Sequence, residues 1–422
     1  MASSPCSSGQ TRRTRIVCIS DTHNSTVKLP KGDVLIHAGD LTNQGSYSEL
    51  SKAVQWLEKA DFEAKIVIAG NHDITLDSGF YQEHGHNFHN KTPQDTAECL
   101  KLLTSSPTIT YLCHGSTKIQ LTNPKGPKTE FTVFGSPYSP RNGLWAFGYD
   151  DIAMDLGSLA TQTSTAPGSQ ELATANLWTE IPLDTDILVT HTPPQGNCDV
   201  TLGCPYLKKR LSTVRPRLHV CGHVHPGRGA ERVRWELKSV GHDGDEECHE
   251  ANVEYWNDPN PDTRSAKLSL VDLTARGGNR ALAFGLSAVS TADVAGGIPR
   301  DGQLLDPSVS CTPSSRQDSE RRIPAGPTVS DGHCRGLGSG SGLGSGPATL
   351  DDVQHLTSKD PSRTGRRETC VVNCAIVATN WPHTGGRRYN KPIVVDLDLP
   401  VWVQSQDQVE PPPTSNRADN IP

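Results

Sequence analysis

Arg15-Ile-Val-Cys-Ile-Ser-Asp-Thr-His23, Asp33-Val-Leu-Ile-His-Ala-Gly-Asp40 and Lys65-Ile-Val-Ile-Ala-Gly-Asn-His-Asp73 are the stretches that decide the fold. Each is a short apolar run that breaks abruptly into a polar turn. Such runs read as strands covered on both faces. Between the second and third, Ser46 and Glu49 have the spacing of a capping box. Leu50, Val54 and Leu57, with Ala53 and Ala60 beside them, then share one face of a helix. Strands and helix in this order predict an α/β (α+β) layered fold, and ligand sites in such folds collect at the carboxyl ends of the strands.

Working outward past Pro107–Tyr111, Glu130–Phe134, Asp186–Thr190, Leu218–Cys221 and Glu231–Leu237 read as further strands, and Tyr206–Thr213 as a short helix. Ser158–Gln170 reads as a surface loop. Strand patterns return at Cys370–Ala378 and Lys391–Leu397. Two such strands are unstable alone, so they are expected to complete the sheet begun earlier.

Hydrophobic residues make up 34% of the 422 positions and aromatics 5%, which is poor for a chain folded throughout. The shortage is localised: between Trp256 and Trp381 the only aromatic residue is Phe284. Residues 240–368, with acidic clusters and the run GLGSGSGLGSG, are therefore expected to be a disordered low-complexity insertion that cannot offset the entropy of ordering. The expected organisation is a disordered N-terminus (1–13), one domain in two parts (14–239 and 369–403) around that insertion, and a disordered tail (404–422).

There is no run of eighteen apolar residues to span a membrane. The opening MASSPCSSGQTRRTR has no apolar stretch, so no secretory signal is expected. The net charge of −7 gives no electrostatic footprint for nucleic acid or anionic membranes. Among twelve cysteines there is no CxxC pair, and Cys18 and Cys221 lie in apolar runs. Free thiols in the cytoplasm are the expectation.

Five strand ends carry the chemistry: Asp21-Thr-His23, Gly39-Asp40, Gly70-Asn-His-Asp73, His191 and Gly222-His-Val-His225. Taken singly, each has an ordinary explanation in turn chemistry or a hydrogen-bonded strand-end imidazole. Together, Asp21, His23, Asp40, Asn71, His191, His223 and His225 form an oxygen and imidazole donor set that suits Mn, Fe or Zn. Seven donors exceed what one ion with open positions needs, so a carboxylate shared between two ions accounts for the surplus. Paired ions clamp the attacking and leaving oxygens of a displacement at phosphorus and make hydroxide available near neutral pH. The departing alkoxide needs a proton, and His72, beside Asn71, is the candidate acid.

DTH, GDL, GNHD, THTPP and GHVH together resemble the calcineurin-like metallophosphoesterase superfamily. VLIHAGDL, GSPYSP, DILVTHTPPQG and RPRLHVCGHVHPG are similar to its metallophosphoesterase-domain-containing (Mpped-type) branch, related to class III cyclic nucleotide phosphodiesterases. The resemblance covers about residues 14–239 and 370–403. It implies a four-layer αββα fold, a two-sheet β-sandwich flanked by helices with a dinuclear site at the strand ends. It also implies that Asp21, His23 and His225 hold one ion and Asn71, His191 and His223 the other. The same resemblance implies that Asp40 bridges them and that His72 faces the leaving group. The activity implied is phosphodiesterase: hydroxide held between the ions attacks a small phosphodiester, with a cyclic nucleotide as the implied class. No nucleic-acid or membrane partner is expected, and the insertion's protein partners are left open. Pro226-Gly-Arg228 departs from the acidic residue relatives often place there. GDL continues as TNQG, so the GDxxDRG signature of phosphoprotein phosphatases is absent. The alternatives are a phosphomonoesterase or nuclease on the same site, or a non-catalytic scaffold acting through the insertion.

Arg141 and Asn142, in SPRNGLW, are candidate phosphate contacts, Arg141 as a bidentate donor. The competing reading puts Arg141 over Trp145. Asp73 reads either as an orienter of a ligand imidazole or as a cap. His37 and His219 read as core or surface residues, and His84, His86 and His89 as a polar loop, with metal ligation as the competing reading.

Overall fold

The three deciding runs are hydrogen-bonded neighbours in a computed structural model of the chain, which describes residues 10–150, 177–237, 248–276, 366–379 and 386–402. In chain order the elements begin with β1 (Thr11–Ile19), β2 (Val34–Ala38), α1 (Tyr47–Glu58), β3 (Ala64–Ile68), α2 (Ser78–His84), α3 (Thr96–Thr104) and β4 (Thr110–Leu112). Next come β5 (Gly115–Gln120), β6 (Glu130–Ser136), β7 (Ser139–Pro140), β8 (Gly148–Tyr149), β9 (Ile187–Thr190), α4 (Pro205–Val214) and β10 (Leu218–Cys221). The last are β11 (Gly229–Leu237), β12 (Cys248–Tyr255), β13 (Ser269–Asp272), β14 (Glu368–Asn373) and β15 (Ile393–Pro400).

These strands build a six-stranded sheet, β13-β15-β1-β2-β3-β4, a seven-stranded sheet, β12-β11-β14-β10-β9-β6-β5, and a small β7-β8 pair. β1, β2 and β3 run parallel, as do β9 and β10, so their carboxyl ends emerge together in each sheet. Period-two alternation sorts their side chains between two layers. Ile16, Cys18, Ile36 and Ile66 face Val133, Val189, Val220 and Val372 in the core between the sheets. Their neighbours Val17, Ile19, Leu35 and Val67 pack outward against Leu50, Val54 and Leu57 of α1 and Leu103 of α3. On the far side Leu188, Cys221 and Val371 cover Leu207, Leu211 and Val214 of α4. The result is the four-layer αββα arrangement. The capping box at Ser46 and Glu49 closes the start of α1.

The expected disordered insertion needs correction. β12 and β13 lie inside 240–368 and pair with β11 and β15. Val271 and Leu273 enter the core between the sheets, and the Trp256 indole donates to the Leu270 carbonyl at 3.2 Å. The first boundary also moves, because Thr11, Arg12 and Arg13 already pair with β15. Residues 277–365, the tail 404–422 and the loop Ser158–Gln170 lie outside the described residues. β14 and β15 take internal places in the sheets: β14 sits between β11 and β10, β15 between β13 and β1. Among the described residues no helix is long and apolar enough to cross a membrane.

Candidate metal centre

Asp21, His23, Asp40 and His223 all have left-handed backbones, with φ of 51°, 44°, 54° and 65°. Asp and His tolerate this region better than most residues, but it still costs on the order of 1 kcal/mol each. Such strain persists where the surroundings over-determine it. Here the loops are laced together. The amides of Asp21, His23 and Asn24 donate to the carbonyls of Gly39, Asp40 and Leu41 at 2.9, 3.1 and 3.0 Å. Gly222 donates to the His191 carbonyl at 3.0 Å. Two glycines make the close approach possible: a Cβ on Gly70 would sit on the Asp40 backbone and carboxylate, and one on Gly222 on the side chains of Ser20 and Asp21.

The side chains converge. The donor atoms of Asp21, His23 and His225, of Asp21, Asp40 and His191, and of His23, Asp40 and His72 form three groups, each within 4.8 Å. Oδ2 of Asp40 is 3.6 Å from His23 Nε2 and 3.4 Å from His191 Nε2, so one oxygen faces both. Asp21 Oδ1 lies 3.3 Å from His225 Nε2. Asn71 Oδ1 is 3.0 Å from His191 Nε2 and 2.9 Å from His223 Nδ1. Two of the imidazoles are oriented by backbone carbonyls. His23 Nδ1 donates to Thr42 O at 3.2 Å and His191 Nδ1 to Ala38 O at 2.9 Å, which turns each Nε2 inward.

The electrostatics ask for cations. Asp21 and Asp40 are buried, and among the described residues their ion-pair partners are imidazoles, not Lys or Arg. Burial alone raises a carboxyl's pKa. For Asp21 the hydrogen bond and charge of His225, and for Asp40 the charge of His191 and His72, outweigh burial and hold both below the usual range. The imidazoles respond in two ways. Burial drives His23 and His223 down to about 4. Against the same burial, Asp40 lifts His191 to about 9 and Asp21 raises His225. A divalent ion beside these carboxylates would compete with protons for the imidazole nitrogens. The donor set therefore fits oxygen- and nitrogen-binding divalent metals.

The sequence candidates thus gather at one place, and His72 joins them. Its amide donates to Asp40 Oδ1 at 2.8 Å and its Nδ1 to Asn43 O at 2.8 Å. Its ring lies 3.9 Å from the ring of Trp145. Arg141 is engaged elsewhere: its guanidinium donates to Asp150 at 2.6 Å and to the Gly148 carbonyl at 3.0 Å, while Asn142 is exposed. Among the described residues Asp73 bonds no imidazole. It accepts from the amides of Leu41, Thr42 and Gly70 and from the Thr42 hydroxyl. His37 and His219 are buried, bonded to the hydroxyls of Thr22 and Thr190 at 2.9 and 2.7 Å. His89 bonds Tyr81, and His84 lies beside Glu83. Sequence reasoning missed Trp145 as the partner of His72. It also missed Arg387, which donates to the His23 carbonyl and to Asn43.

Residues 14–227 match the calcineurin-like phosphoesterase family. The chain is 38% identical over 246 residues to "Probable rhamnogalacturonate lyase C" of Emericella nidulans, covering 58% of this chain and 20% of that protein. It is 34% identical over 232 residues to human "Metallophosphoesterase domain-containing protein 1", covering 51% of this chain and 62% of that one. The chain thus spans a fifth of the first relative and less than two thirds of the second. Among solved structures, TT1561 of Thermus thermophilus is 13% identical with a TM-score of 0.32, over 53% of this chain and 85% of that one. With half of its length matched and relatives of the metallophosphoesterase-domain-containing branch, the chain belongs to the calcineurin-like phosphoesterase family.

Proposed function

We propose that the chain is a dinuclear metal-dependent phosphoesterase that hydrolyses a small phosphodiester, with cyclic nucleotides as one substrate class. The observation that carries this reading is the pair of buried carboxylates, Asp21 and Asp40, whose ion-pair partners among the described residues are only imidazoles. Buried charges without a lysine or arginine partner are costly unless a cation completes them. Asp21, His23 and His225 would hold one ion, Asn71, His191 and His223 the other, and Asp40 would be shared. Manganese is our choice of metal, with iron and zinc as alternatives. When bound, such ions polarise a phosphoryl group and lower the pKa of water.

The remaining chemistry belongs to the chain. Donation from His72 Nδ1 to the Asn43 carbonyl, and the Trp145 ring against its face, support a role for Nε2 as the proton donor to the departing oxygen. Trp145, whose ring is 5.4 Å from that of Phe88, gives that face of His72 an apolar neighbour. We place the enzyme in the cytoplasm, a reading supported by free buried thiols such as Cys18, Cys221 and Cys370. With a net charge of −7, neither nucleic acid nor a membrane is a partner in this reading.

The test is turnover of bis(p-nitrophenyl) phosphate and p-nitrophenyl phosphate by metal-stripped full-length protein reloaded with Mn²⁺. Metal-dependent hydrolysis with the diester faster is expected. A faster monoester would make the chain a phosphomonoesterase, and no metal-dependent turnover of either would refute the reading.

A further inference from the structure

Arg387 belongs to the chain that returns after residues 277–365. Two strips of that return lie side by side: Val377 bridges Tyr389, the Ala378 amide donates to Arg388 O at 2.8 Å, and Asn390 to Ile376 O at 2.6 Å. The inner strip is laid against the first ligand loop, with Ile376 and Val377 donating to the carbonyls of Ser20 and Asp21 at 2.9 and 3.2 Å. This seating carries the Arg387 guanidinium to the rim of the metal centre. Nη1 donates to the His23 carbonyl at 3.0 Å and Nη2 to Asn43 Oδ1 at 3.1 Å. The Asn43 carbonyl is the one that receives His72 Nδ1–H. Arg387 therefore bonds the backbone of one candidate ligand, His23, and stands one residue, Asn43, away from the candidate acid.

Its charge lacks a carboxylate partner among the described residues. Arg15, Arg141, Arg217 and Arg228 each lie against a carboxylate: Asp396, Asp150, Asp186 and Asp258. Among the described residues Arg387 meets only the neutral oxygens of a carbonyl and an amide, and it is exposed. Those two bonds fix the plane of the guanidinium and leave other N–H groups of its five free to donate. A pre-oriented fork with an uncompensated charge, at the mouth of a site for a phosphoester, suits phosphate oxygens, and little ordering entropy remains to be lost on binding.

We propose that Arg387 is a substrate-binding residue whose guanidinium donates to a non-bridging phosphoryl oxygen of the substrate. The proposal rests on the phosphoesterase reading of the metal centre. The test compares full-length, Mn²⁺-loaded wild type with Arg387→Ala and Arg387→Lys. Calorimetry reads the affinity for inorganic phosphate, and steady-state kinetics on bis(p-nitrophenyl) phosphate read KM and kcat separately. Arg387→Ala is expected to weaken phosphate binding about tenfold or more and to raise KM in step, with kcat changed less and metal content unaltered. Arg387→Lys keeps the charge but loses the fork, and should recover only part of the affinity. Equal phosphate affinity in wild type and Arg387→Ala, or a loss confined to kcat with metal content falling alongside, would overturn the proposal. Phosphate affinity judges Arg387 without turnover. An inactive wild type that binds phosphate tightly through Arg387 would contradict the phosphoesterase reading alone.

Discussion

The Asp73 carboxylate ties together two of the ligand loops. Three backbone amides and the Thr42 hydroxyl donate to it, joining the turn after β2 to the turn after β3. An asparagine side chain in its place would turn an amide group toward these donors and lose acceptor capacity. We expect Asp73→Asn to lower stability by roughly 2–3 kcal/mol, read by urea denaturation of the stripped protein. Gly70→Ala makes a different prediction. The new methyl would occupy the position of the Asp40 backbone and carboxylate, so metal binding should be lost while circular dichroism still reports a folded sheet. A Gly70→Ala protein that holds metal as wild type does would contradict this. His219 gives a pH effect. Burial lowers it to about 3 from 6.5, so the unfolded chain binds the proton more readily. Its contribution to stability is therefore complete above about pH 6.5 and is lost as pH falls toward 3, roughly 2 kcal/mol by pH 5. His219→Gln should flatten the stability profile between about pH 5 and 7, and an unchanged slope would sink the argument.

Strands β14 and β15 show why sequence distance misleads about structural position. Both are internal strands, and each is tied to its surroundings by a charged pair. Arg366, just before β14, is buried and donates to the Thr185 carbonyl and to Asp186, both at 2.7 Å. Arg15 in β1 grips Asp396 in β15 with two bonds of 2.7 Å. Because Asp396 is itself buried, Asp396→Ala leaves a guanidinium without its acid and should cost about 3 kcal/mol, measurable by denaturant midpoint. The same two strands were legible in the sequence, because a buried internal strand is a continuous apolar run. β12 and β13 were not. β12 is an edge strand whose residues from Glu250 to Tyr255 are mostly exposed, so Cys-His-Glu-Ala-Asn-Val-Glu-Tyr carries no apolar signature. β13 is only four residues long, and its Val271 was averaged away in a polar neighbourhood.

For the whole molecule, the candidate ligands were readable because each follows a buried strand, and parallel strands bring their ends together whatever lies between. His72 was readable for the same reason. Trp145 and Arg387 were not, since both come from irregular segments whose path is fixed by tertiary contacts alone. The organisation also predicts what can be removed. Replacing 277–365 with a short Gly/Ser linker keeps every described strand and should leave metal-dependent turnover in place, whereas removing 241–365 takes β12 and β13 with it and should destabilise the fold. Loss of turnover in the first of these with normal stability would give the deleted residues a part in catalysis. The central claim, that Asp21 and Asp40 are buried to hold metal ions, is tested most directly by metal analysis of the full-length chain after dialysis against Mn²⁺. The account predicts about two ions per chain, falling to about one or none in Asp40→Asn together with loss of turnover. A wild type that retains no metal, or an Asp40→Asn protein that keeps both ions and its activity, would contradict it.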